Sequence, residues 1–153
     1  MTTLFIAPIR KEVVVNASQE KAFTIFTEKM DLWWPRTHHI GKTPMTELVL
    51  EPVIGGRWYS RHEDGSEVNV GKVLEWEAHE RILLAWQING NFQFDPGLIT
   101  QVEVFFIPEA QASTRVKFEH RNLERMEGGK AIESMDQGWG MIFQLYKNLA
   151  DQV

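Results

Sequence analysis

The order of predicted elements constrains this fold more than any single motif, because a series of short strands is followed by one long amphipathic helix. Between residues 46 and 121, apolar runs are separated by turn signals such as Asp64-Gly65 and Asn89-Gly90. The last helix is predicted over about residues 130–151 and has a continuous apolar stripe at helical spacing. The stripe consists of Ile132, Met135, Trp139, Ile142, Phe143, Tyr146 and Leu149. A helix of this length spans about 30 Å, enough to cross a sheet.

Two predicted strands near the end of the series show which face of the sheet is buried. Their sequences, LITQVEVFFIP and STRVKFEHRNL, alternate between apolar and polar residues. One face carries Val102, Val104, Phe106, Val116, Phe118 and His120. The other face carries Glu103, Arg115, Lys117 and Glu119. We therefore expect an antiparallel sheet with one solvated face.

The first third of the chain adds one strand and a short helical region. The valine run of RKEVVVNA (10–17) indicates a strand, and SQEKAFTIFTE (18–28) changes to helical spacing with Ser18 as the expected N-cap. One further helical turn is expected before Pro35. About six strands and the closing helix follow, which predicts an α+β fold with the helices on one face of the sheet. The length of 153 residues fits a single domain over 1–153.

Composition excludes several classes of function. A net charge of −5, without any run of lysine or arginine, gives no electrostatic basis for binding nucleic acid or an anionic membrane. The absence of cysteine removes disulfides, thiolate nucleophiles and cysteine-ligated zinc. No apolar run approaches the roughly 20 residues of a membrane span, and the N-terminus lacks a signal-peptide pattern. The expected location is therefore cytoplasmic, without membrane insertion, and six tryptophans with nine phenylalanines predict a large aromatic interior.

Trp139 lies between two glycines inside the last helix, where each glycine costs roughly 1 kcal/mol relative to alanine. Its place on the apolar stripe is typical of a core anchor. The missing side chains at Gly138 and Gly140 favour a second interpretation, in which they give clearance around the indole and a cavity lies beside it. Leucine at either glycine position is then expected to disturb helix–sheet packing or to fill the cavity.

Two further features are candidates for a binding or catalytic site. Trp33 and Trp34 are consecutive in a predicted loop, where at least one side chain should be partly exposed, either at the mouth of a pocket or as a plug beneath the loop. His120 is the one polar residue on an apolar inward face. It is either satisfied by a backbone carbonyl or a water, or it is the hydrogen-bonding or acid–base group of a cavity, with Tyr59 and Glu75 as candidate companions.

His38 and His39 are adjacent in a loop, so their side chains are expected to diverge. Neither belongs to an HExxH helix or has a cysteine partner, and we therefore expect no metal site. No GxSxG motif is present, and no Ser-His-Asp arrangement follows from spacing alone. No cofactor is expected.

The succession VVVNASQEKAF, WWP, GGRW, EDGSEVNVGKVLEWE, RILLAW, STRVKFEH and a GW pair in the last helix resembles one family over about residues 10–150. It resembles the activator-of-heat-shock-protein-90-ATPase homologue-like branch of the START-related superfamily. The resemblance implies a helix-grip fold, in which a curved antiparallel sheet of about seven strands wraps around a long C-terminal helix, with two small helices after the first strand. It also implies an apolar cavity between sheet and helix. Carriers of lipids, aromatic polyketide cyclases and chaperone activators share this fold, so the fold alone does not decide the activity.

The expected function is binding of a small apolar or aromatic molecule in that cavity, without catalysis. The expected ligand-binding residues are Trp33, Trp34, Trp58, Tyr59, Trp86, Val104, Phe106, Phe118, His120, Met135, Trp139 and Phe143. One alternative is a cyclase or dehydratase that uses His120 as general acid or base. Another is an interaction module for heat-shock protein 90, and homodimer formation is left open.

Overall fold

A computed structural model describes residues 6–126 and 129–152, and its main feature is one seven-stranded antiparallel sheet. The strands are β1 (Ile9–Val15), β2 (Met45–Leu50), β3 (Arg57–His62), β4 (Glu67–Glu77), β5 (Arg81–Trp86), β6 (Thr100–Ala110) and β7 (Ser113–Arg121). Their order across the sheet is β1-β7-β6-β5-β4-β3-β2. Register shifts interrupt four of the pairings, and such bulges increase the twist and bend of a sheet. The predicted curved antiparallel sheet is confirmed.

The helices also follow the predicted order. They are α1 (Gln19–Thr27), α2 (Met30–Trp33), a 3₁₀ helix (Leu123–Met126) and α3 (Gly129–Ala150). The Oγ atom of Ser18 accepts a hydrogen bond from the Lys21 backbone N–H at 3.2 Å, which confirms the predicted cap of α1. The 3₁₀ helix is an addition that the apolar periodicity does not predict. None of the described helices has the length and apolar character needed to cross a membrane.

The core lies between the inner face of the sheet and the helices. The predicted inward residues of β6 and β7 are at most 2% exposed, so their facing is confirmed. Phe23 and Phe26 of α1 pack against Phe106 with ring centroids 5.1 and 5.7 Å apart. The Tyr146 hydroxyl of α3 donates a hydrogen bond to the Ala22 carbonyl at 2.8 Å, which ties α3 to α1. The long helix is therefore anchored at its C-terminal half.

The outer face of the sheet carries a connected set of ion pairs. Arg81 bonds the carboxylates of Glu75, Glu77 and Glu103. Arg121 of the neighbouring strand β7 bonds Glu103 at 2.7 Å. Glu103 is thus shared by two arginines, and the network links β4 to β7. The charged outer face matches the predicted solvated face.

Candidate functional site

A cleft of about 290 Å³ opens beside the middle of α3, and we call it the tryptophan cleft. Its apolar wall comprises Trp34 after α2, Trp86 at the end of β5, and Met135, Trp139 and Ile142 of α3. Ligand pockets in proteins usually measure roughly 300–1,000 Å³, so this cleft suits a small molecule. Most of the wall is apolar, and its polar side chains are those of Thr37, His38, His39 and Ser134.

Four tryptophans form a closed ring of contacts around and behind the cleft. Trp34 packs against Trp58 and Trp139, with ring centroids 6.0 and 5.6 Å apart. Trp86 packs against the same two indoles at 5.5 and 5.4 Å. All four contacts are steeply inclined, with the edge of one ring against the face of the next, an arrangement that aromatic pairs favour. The wall of the cleft is therefore held in place before any ligand arrives.

The indole N–H groups of this ring are only partly satisfied. Trp34 donates its N–H to the His38 carbonyl at 2.8 Å, and Trp139 donates to His120. The Nε1 atoms of Trp58 and Trp86 are buried without a partner in the described part of the chain. An unpaired buried donor costs roughly 1–3 kcal/mol. Packing of the rings must offset this cost.

His120 lies behind the cleft, fully buried, in a chain of hydrogen bonds. Trp139 Nε1 donates to His120 Nδ1 at 3.2 Å, and His120 Nε2 lies 2.7 Å from Thr100 Oγ1. An indole N–H can only donate, so Nδ1 is the acceptor and Nε2 carries the proton. The Thr100 hydroxyl in turn donates a hydrogen bond to the Trp86 carbonyl at 3.0 Å. Both ring nitrogens are satisfied, and the tautomer is fixed.

The surroundings of His120 favour a structural role over acid–base chemistry. Burial lowers the pKa of His120 to about 3, so the ring is neutral at physiological pH. Its candidate companion Glu75 lies on the outer face of the sheet and is paired with Arg81. His120 is therefore a satisfied core histidine, although its partners are the side chains of Trp139 and Thr100, not a backbone carbonyl or a water.

Tyr59 does not belong to the cleft, contrary to the sequence-based expectation. Successive strand residues face opposite sides, and because Trp58 points into the core, Tyr59 points outward. The guanidinium carbon of Arg57 lies 3.9 Å from the ring centroid, and Arg61 Nη2 donates to the hydroxyl at 3.0 Å. The ring is buried by these arginines, so burial alone does not indicate its face.

The remaining expected ligand-binding residues divide into cleft wall and supporting core. Trp34, Trp86, Met135 and Trp139 line the cleft. Trp33, Trp58, Val104, Phe106, Phe118, His120 and Phe143 are buried inside the fold and do not line it. Phe118, for example, packs against Trp139 with ring centroids 4.6 Å apart. Hydrophobic pattern thus identified the correct interior but not which of its residues reach the opening.

Trp33 and Trp34 are both buried, at 4% and 6% exposure, which corrects the expectation that one is partly exposed. Trp33 is the last residue of α2, and its indole donates to the Ile25 carbonyl of α1 at 2.7 Å. Trp34 is extended, so its side chain leaves the helix in another direction and enters the ring of tryptophans. The change of backbone conformation between them lets both side chains be buried.

Two loops supply the part of the cleft that the sequence did not predict. The segment 37–40 contributes Thr37, His38, His39 and Ile40, and the turn after β5 contributes Ile88 and Phe92. Phe92 is 59% exposed and has a left-handed backbone, with φ of 57°. The one sequence signal for this part of the cleft is the pair of histidines, His38 and His39, that follows WWP. No group of three or more metal-binding side chains occurs among the described residues.

The two glycines beside Trp139 have different surroundings. Gly138 lines the cleft, and a Cβ placed there meets no atom within 4 Å. A Cβ at Gly140 meets only the end of the Lys11 side chain, at 3.8 Å from Nζ. Neither position presses on the indole. Clearance around Trp139 is therefore not the role of both glycines, and only Gly138 keeps space open at the cleft.

Comparison with solved structures finds relatives of the same length and fold. An anthrahydroquino-Gama-pyrone synthase, Txn09, is 32% identical, with 92% of this chain and 97% of that chain covered and a TM-score of 0.65. A self-sacrificing resistance protein, CalC from Micromonospora echinospora, is 31% identical, with 95% and 94% covered and a TM-score of 0.72. The Aha1 dimer from Colwellia psychrerythraea is 15% identical, with 95% and 97% covered and a TM-score of 0.67, and supports the fold alone. Curated protein sequences give no significant match.

The family assignment rests on most of the chain. The family model described as Activator of Hsp90 ATPase homolog 1-like protein matches residues 16–151. That range runs from the end of β1 to the end of α3 and includes every wall of the tryptophan cleft. The chain belongs to the Activator of Hsp90 ATPase homolog 1-like protein family.

Proposed function

We propose that this protein binds a small, flat aromatic molecule in the tryptophan cleft. The observation that supports it is the cleft itself, about 290 Å³ in volume, with Trp34, Trp86 and Trp139 as its wall. Indole faces and edges offer offset and edge-to-face contacts to an aromatic guest, and buried apolar area provides roughly 25 cal/mol per Å² before ordering costs. Because contacts between the rings already hold the wall in place, the protein loses little conformational entropy when a ligand binds.

One of the two relatives above 30% identity supports an aromatic ligand. One is named as the synthase of an anthrahydroquino-pyrone, which denotes a fused aromatic ring system, and the other as a resistance protein. We carry over only the class of ligand that the name of the synthase gives, and no residue role.

A ligand screen tests the proposal directly. Flavonoids, hydroxylated anthraquinones and fatty acids are titrated while intrinsic fluorescence is recorded, because three of the six tryptophans line the cleft and a bound aromatic quenches them. We expect the fused aromatics to bind and the fatty acids to bind more weakly. If no aromatic quenches in a saturable way, the proposal is wrong.

Gly138→Leu is expected to abolish this binding while the helix becomes more stable. The leucine side chain enters the cleft without a clash at Cβ, and it removes a helix-interior glycine that costs roughly 1 kcal/mol. We expect affinity for the best aromatic to fall at least about tenfold, a loss of about 1.4 kcal/mol. Titration calorimetry gives the affinity, and thermal unfolding gives the stability.

Gly140→Leu is the matched control, since it makes the same change two residues away and meets only the flexible end of Lys11. It should gain similar helix stability and keep its affinity within about twofold. Equal loss of affinity in both variants would indicate an effect through the helix, and unchanged affinity in Gly138→Leu would place the ligand elsewhere.

A ring-closing enzyme is the second candidate, and the synthase relative is the observation that favours it. His120 does not suit the acid–base role, since it is sealed, doubly hydrogen-bonded and neutral. The histidines that line the cleft are His38 and His39. A binding protein returns its ligand unchanged, so mass spectrometry of ligands recovered after incubation separates the two candidates. Chaperone binding and homodimer formation stay predictions, the latter with a solved dimer in the same fold.

A further inference from the structure

One polar group at the tryptophan cleft has a fixed chemical identity, and it belongs to His39. The backbone N–H of Gly41 donates to His39 Nδ1 at 3.1 Å. A backbone N–H can only donate, so Nδ1 is the acceptor and the neutral ring carries its proton on Nε2. Burial, together with the neighbouring His62, lowers the pKa of His39, which keeps the ring neutral at physiological pH. His39 therefore presents an N–H donor.

The Nε2 atom of His39 is free to bond a ligand. It has no hydrogen-bond partner in the described part of the chain, and it is not among the buried unpaired polar atoms there. The atom is thus open to solvent, on a residue that lines the cleft. His38, the neighbour in sequence, is exposed, and its Nδ1 lies 3.0 Å from Thr37 Oγ1. Of the two histidines that line the cleft, His39 has the less exposed ring.

The ring of His39 is held in position by a buried histidine, His62. His39 packs against His62 with ring centroids 4.9 Å apart. His62 is itself fixed at both nitrogens, by Ser60 Oγ at 2.7 Å and by the Thr43 carbonyl at 2.8 Å. Gly41 lies so close to the His62 ring that a Cβ there would overlap it. The backbone N–H that sets the tautomer of His39 is therefore fixed by packing.

We propose that the cleft selects planar aromatic molecules that carry a peripheral carbonyl oxygen, which accepts a hydrogen bond from His39 Nε2. This inference rests on the proposed aromatic binding and adds the class of ligand and the residue that recognises it. A carbonyl oxygen is an acceptor without a proton, so it matches a group that can only donate. Thr37, His38 and Ser134 also line the cleft, but most of its wall is apolar, so a carbonyl that enters it without a hydrogen bond is unfavourable and a donor held in place favours ligands that carry an acceptor.

Two ligands of nearly equal shape test the inference. 2-Acetylnaphthalene has the carbonyl, and 2-ethylnaphthalene replaces it with a methylene group. Both are titrated into the wild type, His39→Phe and His79→Phe, and the dissociation constants are measured by tryptophan quenching. Phenylalanine keeps an aromatic ring at each site but removes the donor. The quantity of interest is the ratio of the two dissociation constants, compared between proteins as in a double-mutant cycle.

In the wild type we expect the ketone to bind about three- to tenfold more tightly than the hydrocarbon, as one net hydrogen bond allows. In His39→Phe the preference should vanish or reverse, because the carbonyl loses its water without a replacement bond. His79→Phe, the control, changes an exposed histidine that does not line the cleft and should keep the wild-type ratio. Long-range ¹H–¹⁵N spectra of the histidine rings should show the ketone, and not the hydrocarbon, shifting the His39 Nε2 signal.

The failures of the two proposals are distinguishable. If both ligands bind the wild type with equal affinity, aromatic binding stands and the role of His39 is wrong. The same conclusion follows if His39→Phe keeps the ketone preference or if His79→Phe loses it. If neither ligand binds at concentrations up to their solubility, the proposed function fails and this inference falls with it.

Discussion

A histidine tautomer is decided by neighbours that can only donate, and two histidines of this protein illustrate it. The Trp139 indole fixes His120, and the Gly41 backbone N–H fixes His39, so both neutral rings carry the proton on Nε2. In His120 that proton is used internally, on Thr100. In His39 it is left for a ligand. The same chemical form thus serves the core in one place and recognition in the other.

The buried neutral state of His120 predicts an acid-sensitive fold. Its pKa is about 3 in the folded chain and about 6.5 when unfolded, so below pH 6.5 only the unfolded state takes up the proton. The stability from this residue is fully present above pH 6.5 and declines as pH falls, by up to about 1.4 kcal/mol per unit. Urea unfolding of the wild type and His120→Gln between about pH 7 and pH 4 measures it.

The glutamine variant cannot titrate at this position, and every other group titrates in both proteins. The difference in unfolding free energy should therefore shrink steadily below pH 6. Parallel pH profiles for the two proteins would show that His120 is protonated in the folded state and that the deduced tautomer chain is wrong.

At the scale of elements, one glycine lets two strands bring their tryptophans together. In the register of β3, β4 and β5, Gly71 lies between Trp58 and Trp86. The missing side chain leaves the two indoles free to meet across the central strand, with ring centroids 5.5 Å apart. The backbone of β4 also approaches the Ala85 carbonyl so closely that a Cβ would overlap it. A strand-interior glycine commonly marks such a close approach.

Gly71→Ala is expected to destabilise the protein by about 3 kcal/mol or more, because the clashing atom belongs to the backbone and cannot rotate away. Chemical denaturation measures the loss of unfolding free energy, and tryptophan emission reports any separation of the four packed indoles. Gly97→Ala is the control, since its Cβ would meet only Asp95 Oδ1 at 3.4 Å. It should stay within about 0.5 kcal/mol of the wild type. Equal, small effects would contradict the close approach.

The elements themselves were predictable because their signals are local. The caps, turn pairs and alternation that define α1, the β3–β4 hairpin and the faces of β6 and β7 are each contained in a few consecutive residues. The cleft is different, since Trp34, His39 and Phe92 meet only after the sheet curls and two loops without periodicity settle over it. Tyr59 is misplaced for a local reason, because it directly follows the inward-facing Trp58 in β3 and must therefore face outward. Contacts between residues that are distant in sequence produce no periodic pattern of apolar residues, so the sequence does not predict them.

In the whole molecule, aromatic packing and ion pairs lie on opposite faces of the sheet. Inside the sheet, the aromatic core contains the neutral ring of His120 and the hydroxyl of Tyr146, whose pKa is raised by burial. Outside, charges are gathered into the network around Arg81 and Glu103. Hydrogen bonds from the two arginines hold the pKa of Glu103 below its usual value despite its burial. The ion pairs of the outer face therefore link strands β4 to β7, whose inner faces pack against the core.

Arg81→Met should reveal how much these ion pairs contribute to the free energy of unfolding. Methionine keeps the apolar stem, but Glu103, whose side chain is 13% exposed, loses one of its two cationic partners, and Glu75 and Glu77 are left beside it. We expect a loss of about 1–2 kcal/mol in unfolding free energy at low salt, and a smaller loss at about 1 M salt, where the exposed carboxylates are screened. Arg10→Met provides the comparison, since the Arg10 side chain is 71% exposed in its pair with Glu119 and should cost less than about 0.5 kcal/mol. If the two variants lose the same stability, the shared carboxylate of Glu103 has no special weight, and the outer face is a set of independent surface pairs.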